Sequence, residues 1–134
     1  MYYNILYIKN MKSSYILIAI IFIGFFLYSR KKSNIPKISS QNGLKLLNDE
    51  NHKFLDVRTD SEYSNGHIPK SKHIPLQELQ DRVSEIEQFK NKNIIVYCRS
   101  GARSSKATNI LLEKGFKVLN LSGGVMSWKG ELEK

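Results

Sequence analysis

The stretch Ile94–Gly115, IIVYCRSGARSSKATNILLEKG, decides the fold. It opens on four apolar residues, mostly β-branched or aromatic, which is typical of a buried strand. Cys98 follows directly, and a loop containing Gly101 leads into apolar residues at helical spacing. We expect this helix to start near Ser104 as its N-cap and to end at Gly115. A strand, a short loop and a helix in this order predict one crossover unit of an α/β fold.

The same alternation of short strands and helical patterns continues on both sides of this stretch. Ile38 is a possible first strand, and strand-like runs recur at 54–57 and 118–121. Apolar residues at three- and four-residue steps between 76 and 89 predict a helix. Strands that alternate with helices predict a mainly parallel sheet that is covered on both faces.

The charge distribution divides the chain. The 134 residues carry 21 basic and 12 acidic side chains, a net charge of +9. Six of the basic side chains and none of the acidic ones lie in residues 1–37, so the remainder is only mildly basic. Because this remainder has no basic stripe interleaved with aromatic residues, we expect no nucleic-acid partner. A single cysteine excludes an intramolecular disulfide and a multi-cysteine metal site.

An uncharged, largely apolar segment lies near the N-terminus, at 13–29 between Lys12 and Arg30. It is apolar on every face, which predicts a single transmembrane anchor in contact with lipid. The cations that follow it outnumber those that precede it, so the positive-inside rule predicts a cytoplasmic C-terminal domain. The predicted organisation is a short segment at 1–12, the anchor, a basic linker at 30–37 and one domain at 38–134.

A cleaved signal peptide is the alternative for the same segment, and it would make the protein exported, periplasmic or extracellular. Two features of the sequence oppose cleavage. No small-residue cleavage site follows the apolar run, and Arg30, Lys31 and Lys32 stand where a peptidase requires small, neutral residues.

The position of Cys98 predicts its chemistry. In open α/β sheets, ligands bind beyond the carboxyl ends of the strands, where loop N–H groups and helix N-termini accept anions. We expect the Cys98 thiol to ionise readily there, because Arg99 and Arg103 add two cations beside it. Gly101 allows the loop to curl so that its N–H groups approach the sulfur.

The residues Cys98–Ser104, CRSGARS, resemble the active-site loop of the rhodanese-like sulfurtransferases, written C-x-x-G-x-R-S. Three further blocks of that family occur in order: Phe54–Tyr63 with its D-V-R and E-Y, Gly66–Leu76 with its G-H-I and I-P-L, and Leu121–Trp128 with its G-G-x-x-x-W. Residues 69–73 depart from the family pattern, which leaves the shape of that turn open. The resemblance extends from 38 to 128 and implies a rhodanese-like α/β fold with about five strands.

What the resemblance implies is sulfur transfer through a persulfide on Cys98. The donor would be thiosulfate or a protein persulfide, and the acceptor a small thiol, a thioredoxin-like protein or, in an assay, cyanide. No cofactor or metal is implied. The resemblance assigns the active-site loop and the binding of the substrate anion to Arg99, Ser100, Gly101, Ala102, Arg103 and Ser104.

Asp56 and Arg58 follow a neighbouring strand and are predicted to form an ion-paired brace for the loop, with a direct catalytic role as the lesser alternative.

Two other functions remain open from the sequence. A non-catalytic module of the same fold would tether or regulate a partner at the membrane. A Cdc25-like phosphatase or an arsenate reductase shares the architecture, but Cys-x5-Arg enzymes place arginine six positions after cysteine. Here the arginine is Arg103, five positions after Cys98, which favours sulfur transfer.

Overall fold

The computed structural model describes residues 15–26 and 35–134. Helix α1 occupies 15–26. The remaining elements all lie in the unit Ile35–Lys134. They are β1 (Lys37–Ile38), α2 (Ser40–Lys45), β2 (His52–Asp56), α3 (Asp60–Ser64), β3 (Lys72–His73), β4 (Asn93–Tyr97), α4 (Ala102–Glu113) and β5 (Lys117–Leu121), with 3-10 helices at Leu76–Glu78, Val83–Phe89 and Gly124–Ser127.

The strands form one five-stranded sheet in the order β1-β5-β4-β2-β3, and every pair is parallel. The predicted α/β class, the strand count and the parallel sheet are therefore confirmed. Because all strands run the same way, the carboxyl ends of β2, β4 and β5 meet at one edge of the sheet. Cys98 follows β4 directly at that edge.

Apolar side chains cover both faces of the sheet. In β4, Ile94 and Val96 join the cluster under α4, whereas Ile95 and Tyr97 join the cluster on the opposite face. The second cluster includes Trp128, whose ring packs edge-on against Phe54 at 5.6 Å between ring centroids. Burial of each such side chain contributes about 1.5–3 kcal/mol, so the central strands are held from both sides.

The predicted helix between 76 and 89 is wrong. The segment instead forms two 3-10 helices, Leu76–Glu78 and Val83–Phe89. Val83, Ile86 and Phe89 are three residues apart, the repeat of a 3-10 helix, and all three pack toward the cluster under α4. The same apolar face is therefore buried by a tighter backbone than the sequence pattern indicated.

The predicted anchor at 13–29 extends past the described residues at both ends. Over 15–26 and 35–134, no helix has the length and apolar content required to cross a membrane. The described residues therefore do not support the anchor, nor the single-pass location and lipid contact that depend on it. The predicted segment 1–12 and residues 30–34 of the predicted linker lie outside the described residues. Lys37, which was assigned to the linker, instead lies in β1.

Gly123 and Gly124 form a turn that supports the backbone of the cysteine loop. The N–H groups of Val125 and Met126, which follow the turn, donate to the carbonyls of Cys98 at 2.8 Å and Arg99 at 3.1 Å. Gly124 has a φ of +58°, and a β-carbon added there would stand 2.3 Å from the Cys98 carbonyl oxygen. The turn approaches the loop so closely that a side chain at Gly124 has no room.

We therefore expect Gly124→Ala to lower the free energy of unfolding by about 3 kcal/mol, because it combines positive-φ strain with overlap against the loop. Gly115→Ala is the matched control. Gly115 also has a positive φ, +81°, but has no atom within 4 Å of an added β-carbon. Its cost should be about 1 kcal/mol in urea unfolding monitored by circular dichroism. Equal costs for the two variants would show that the turn does not constrain the loop.

Candidate active site

The Cys98 side chain lies inside the loop that joins β4 to α4. Only 1% of the residue is exposed. The N–H of Gly101 donates to its sulfur at 3.1 Å, and the Ser104 hydroxyl lies 3.5 Å from the same atom. Gly101 has a φ of +107° and is the N-cap of α4, so the backbone curls back over the sulfur. The thiol is thus enclosed by donors on the side that faces the protein.

These donors favour the ionised form of Cys98. Burial by itself raises the pKa of the thiol. Hydrogen bonds from the Ser104 side chain and from the N–H groups of Ser104, Gly101 and Ser100 lower it, and their combined effect is larger than that of burial. The pKa of Cys98 therefore lies below its ordinary value, which increases the fraction of nucleophilic thiolate. The predicted easy ionisation has a physical basis, with backbone and hydroxyl donors as its main causes and the Arg103 guanidinium as a lesser one.

The sequence predicted Ser104 as the N-cap of α4, and this prediction is wrong. The helix begins at Ala102, because Gly101 takes the left-handed conformation that caps it. Ser104 is fully buried in the first turn, and its hydroxyl lies 2.7 Å from Oδ1 of Asn120 as well as near the sulfur. Asn120 donates in turn to the Ser105 hydroxyl at 2.8 Å and to the Gly101 carbonyl at 3.4 Å. These bonds fix the first turn of α4 against β5.

Arg103 lies near the thiol, but its guanidinium is engaged by a carboxylate. Two nearly parallel hydrogen bonds of 2.7 Å join it to Glu62 in α3. Hydrogen bonding to Glu62 is the main reason that the pKa of Arg103 is raised, and the Cys98 sulfur is a lesser one. Arg103 therefore ties the cysteine loop to α3, with part of its charge directed at the sulfur.

The other loop residues face outward. Arg99, Ser100 and Ala102 are exposed, and the Arg99 guanidinium has no hydrogen bond or ion pair with any residue of the described chain. A free cation at the mouth of a thiol loop is available to an anionic substrate. The loop residues predicted from the sequence thus all lie around Cys98. Some of their N–H and hydroxyl groups donate to the sulfur, whereas the side chains of Arg99, Ser100 and Ala102 are exposed to solvent.

The predicted pair of Asp56 and Arg58 forms, with the Nη2 of Arg58 2.6 Å from Oδ2 of Asp56, and both residues are buried. The remaining bond of the Arg58 guanidinium goes to the carbonyl of Gly66 at 2.8 Å. In the described chain no hydrogen bond joins either side chain to the residues 98–104. The pair therefore fixes the turn at Gly66 and does not brace the cysteine loop directly.

Two residues that organise the site were not identified from the sequence. Glu62 was noted only as part of a family block, and Asn120 was taken as one residue of a strand. A polar residue inside the apolar run Val118–Leu121 was the available signal for Asn120, because a buried amide requires hydrogen-bond partners. Over the described ranges, no group of three or more His, Cys, Asp or Glu side chains is arranged to hold a metal ion.

Comparison with known proteins gives the family. The profile of the rhodanese-like domain matches residues 40–131, most of the chain. The protein belongs to the rhodanese-like domain family.

Particular relatives agree with this assignment. A sulfurtransferase of Allochromatium vinosum is 39% identical over 85 residues, which cover 63% of this chain and 78% of that protein. YrkF of Bacillus subtilis is 39% identical over 107 residues, 78% of this chain, but the match spans only 57% of YrkF. The crystal structure of a rhodanese-like domain protein from Staphylococcus aureus superposes with a TM-score of 0.67 at 30% identity, over 74% of this chain and 97% of that one.

The hydrogen bonds to the sulfur predict the pH dependence of Cys98. Ser104→Ala removes the hydroxyl that stabilises the thiolate, so the pKa of Cys98 should rise. The rate of alkylation by iodoacetamide against pH should then have its midpoint at higher pH than in the wild type. Ser105→Ala is the control, because its hydroxyl donates to the Gly101 carbonyl and not to the sulfur. If both variants titrate like the wild type, the hydroxyl does not act on the thiol.

The Glu62–Arg103 pair predicts an acid-sensitive part of the stability. The hydrogen bonds of Arg103 lower the pKa of Glu62 from 4.5 to about 2. A lowered carboxyl pKa stabilises the folded state above the unfolded value, and this stability is lost as pH falls from 4.5 toward 2.

Glu62→Gln should therefore cost about 1 kcal/mol near neutral pH and progressively less in acid, as measured by urea unfolding at several pH values. Glu87→Gln, in an exposed pair with Lys90, should change little at any pH. A Glu62→Gln cost that stays constant with pH would rule out the ionic contribution.

Proposed function

We propose that the protein is a sulfurtransferase that moves a sulfane sulfur from a donor such as thiosulfate to a thiol or cyanide through a persulfide on Cys98. The observation that carries the proposal is the Cys98 sulfur itself. It is the only sulfhydryl in the sequence, and it lies among hydrogen-bond donors that lower its pKa. Membership of the rhodanese-like family and the relation to a sulfurtransferase of Allochromatium vinosum support it.

In the first half-reaction, the Cys98 thiolate attacks the outer sulfur of thiosulfate. A bond forms between the two sulfur atoms, the sulfur–sulfur bond of thiosulfate breaks, and sulfite leaves with that electron pair. Arg99, exposed and unpaired within the described chain, is placed to hold the anionic donor. The loop N–H groups that face Cys98 are donors for the negative charge of the persulfide.

In the second half-reaction, a nucleophile attacks the outer sulfur of the persulfide and releases the Cys98 thiolate. The chain has no second cysteine, so it cannot resolve the persulfide within itself. An external acceptor is required, either a small thiol, a protein thiol or cyanide.

The position of Arg103 and its pairing with Glu62 support sulfur transfer over phosphate chemistry. Cys-x5-Arg enzymes use a guanidinium six positions after cysteine to hold a tetrahedral phosphate. Here Arg103 stands five positions after Cys98, and its guanidinium is already paired with Glu62. A short loop without a free guanidinium over the sulfur favours a single sulfur atom over a phosphate or arsenate.

Loading with sulfur tests the proposal directly. Full-length protein that is incubated with thiosulfate and desalted should gain about 32 Da, one sulfur atom, in its intact mass. Subsequent addition of cyanide should remove this mass and yield thiocyanate, because the acceptor discharges the persulfide.

Cys98→Ser should show neither the added mass nor thiocyanate, whereas Ser105→Ala, which keeps the thiol, should show both. Wild-type protein that takes no sulfur from thiosulfate or from an alkyl persulfide would refute the proposed function.

A further inference from the structure

A pocket of about 300 Å³ lies beside the cysteine loop, on the side of β1 and β5. Its walls include loop residues 100–102, Ser122 after β5 and Lys37 in β1. Cys98 is not in the wall, but the pocket shares Gly101 with the donors around the sulfur. A polar cavity of a size that suits part of a small molecule therefore adjoins the loop that holds the sulfur.

The parallel pairing of β1 with β5 brings Lys37 to this position. The Cα of Lys37 is opposite that of Asn120, and residues in register on neighbouring parallel strands point to the same face of the sheet. Asn120 faces α4, because it bonds to Ser104 and Ser105 in the first turn of that helix. Lys37 therefore projects on the face that carries the cysteine loop. It also lies before the part of the chain that the family profile matches, residues 40–131.

The polar groups around the pocket divide into satisfied and free ones. Asn120 and Ser105 are engaged with the first turn of α4. By contrast, within residues 35–134 the Lys37 amine and the hydroxyls of Ser100 and Ser122 have no hydrogen bond or ion pair. No acidic side chain is in the wall, so the pocket carries a net positive charge together with two free hydroxyl donors.

We propose that this pocket binds the carboxylate of a small anionic thiol, the acceptor of the Cys98 sulfur, with Lys37 as the cation and Ser100 and Ser122 as hydrogen-bond donors. The inference rests on the proposed sulfur transfer. It concerns the acceptor because the charged oxygens of thiosulfate are bonded to the sulfur atom next to the reacting one, too close to it to reach the flanking pocket. A carboxylate that reaches the flanking pocket must be joined to its sulfur by a carbon chain.

The transfer step is balanced without a further reactant. The acceptor thiolate attacks the outer sulfur of the Cys98 persulfide, a new sulfur–sulfur bond forms on the acceptor, and the bond to the inner sulfur breaks. The released electron pair stays on Cys98 as the thiolate. The product is the acceptor persulfide, and neither an oxidant nor a reductant is consumed.

The test compares an anionic with a neutral acceptor on full-length protein that is loaded with sulfur. The probes are 3-mercaptopropionate and 2-mercaptoethanol, and the readout is the second-order rate of persulfide discharge, followed by intact mass. Lys37→Gln should slow discharge to 3-mercaptopropionate about fivefold and leave 2-mercaptoethanol within about twofold, since one partly exposed ion pair is lost. Lys106→Gln is the matched control, because it removes one exposed lysine from α4 that is not in the wall of the pocket.

A second readout requires no sulfur transfer. 3-Bromopropionate and 3-bromopropionamide both alkylate thiols, but only 3-bromopropionate carries a carboxylate, and a carbon atom separates that carboxylate from the reacting carbon. Lys37→Gln should lower the ratio of their rates, whereas Lys106→Gln should not, and about 0.5 M salt should reduce the effect.

The outcomes separate the two claims. Protein that cannot be loaded refutes the proposed function, and the alkylation ratio then still decides whether the pocket binds a carboxylate. Protein that loads but discharges to both thiols at rates unaffected by Lys37→Gln overturns the inference alone. Equal effects of Lys37→Gln and Lys106→Gln also overturn it, because general charge would then explain the result.

Discussion

The position of β4 between two parallel neighbours is the constraint on which the rest of the structure depends. It pairs with β2 on one side and β5 on the other, and its residues are covered on both faces by apolar clusters. A strand held in this way has a fixed end, and Cys98 is the first residue beyond that end. The sulfur is therefore placed by the central part of the core, while the loop that surrounds it reaches solvent.

Three contacts then set the shape of the loop. The N–H groups that follow the turn at Gly123 and Gly124 donate hydrogen bonds to the carbonyls of Cys98 and Arg99. Asn120 in β5 holds the first turn of α4 through Ser104, and Glu62 in α3 holds Arg103. Two of these contacts come from β5 and the turn after it, and the third comes from α3. Together they direct N–H and hydroxyl donors at one sulfur atom. An anion on that sulfur is stabilised before any substrate arrives, which is the arrangement that nucleophilic catalysis requires.

Much of this arrangement was predictable from local patterns. The strands β2, β4 and β5, helix α4 and the cysteine loop all follow from apolar runs, glycine positions and one seven-residue motif. The segment Val83–Phe89 was mispredicted because a three-residue spacing of apolar side chains fits an α-helix and a 3-10 helix almost equally. Ser104 was misplaced because a serine near a helix start resembles an N-cap, whereas Gly101 supplies the cap and the Ser104 hydroxyl lies between Asn120 and the sulfur. The membrane anchor predicted at 13–29 is not supported by the described residues.

The sequence by itself determined the fold class and the family, and it predicted Cys98 as the reactive residue. The fold class depends on periodicity and on local backbone preference, and the family and Cys98 were indicated by the resemblance of four short motifs. All of these are read from residues that are close together in the chain. Only the tertiary structure decided which charges face that cysteine. Glu62 and Arg103 are 41 positions apart, and Lys37 reaches the flank of the loop through the register of β1 with β5. From the sequence, Lys37 could be assigned only to a basic N-terminal linker. The order of residues along the chain does not show which strands pair with each other. Electrostatic interactions depend on distance in space, which the pairing of the strands sets.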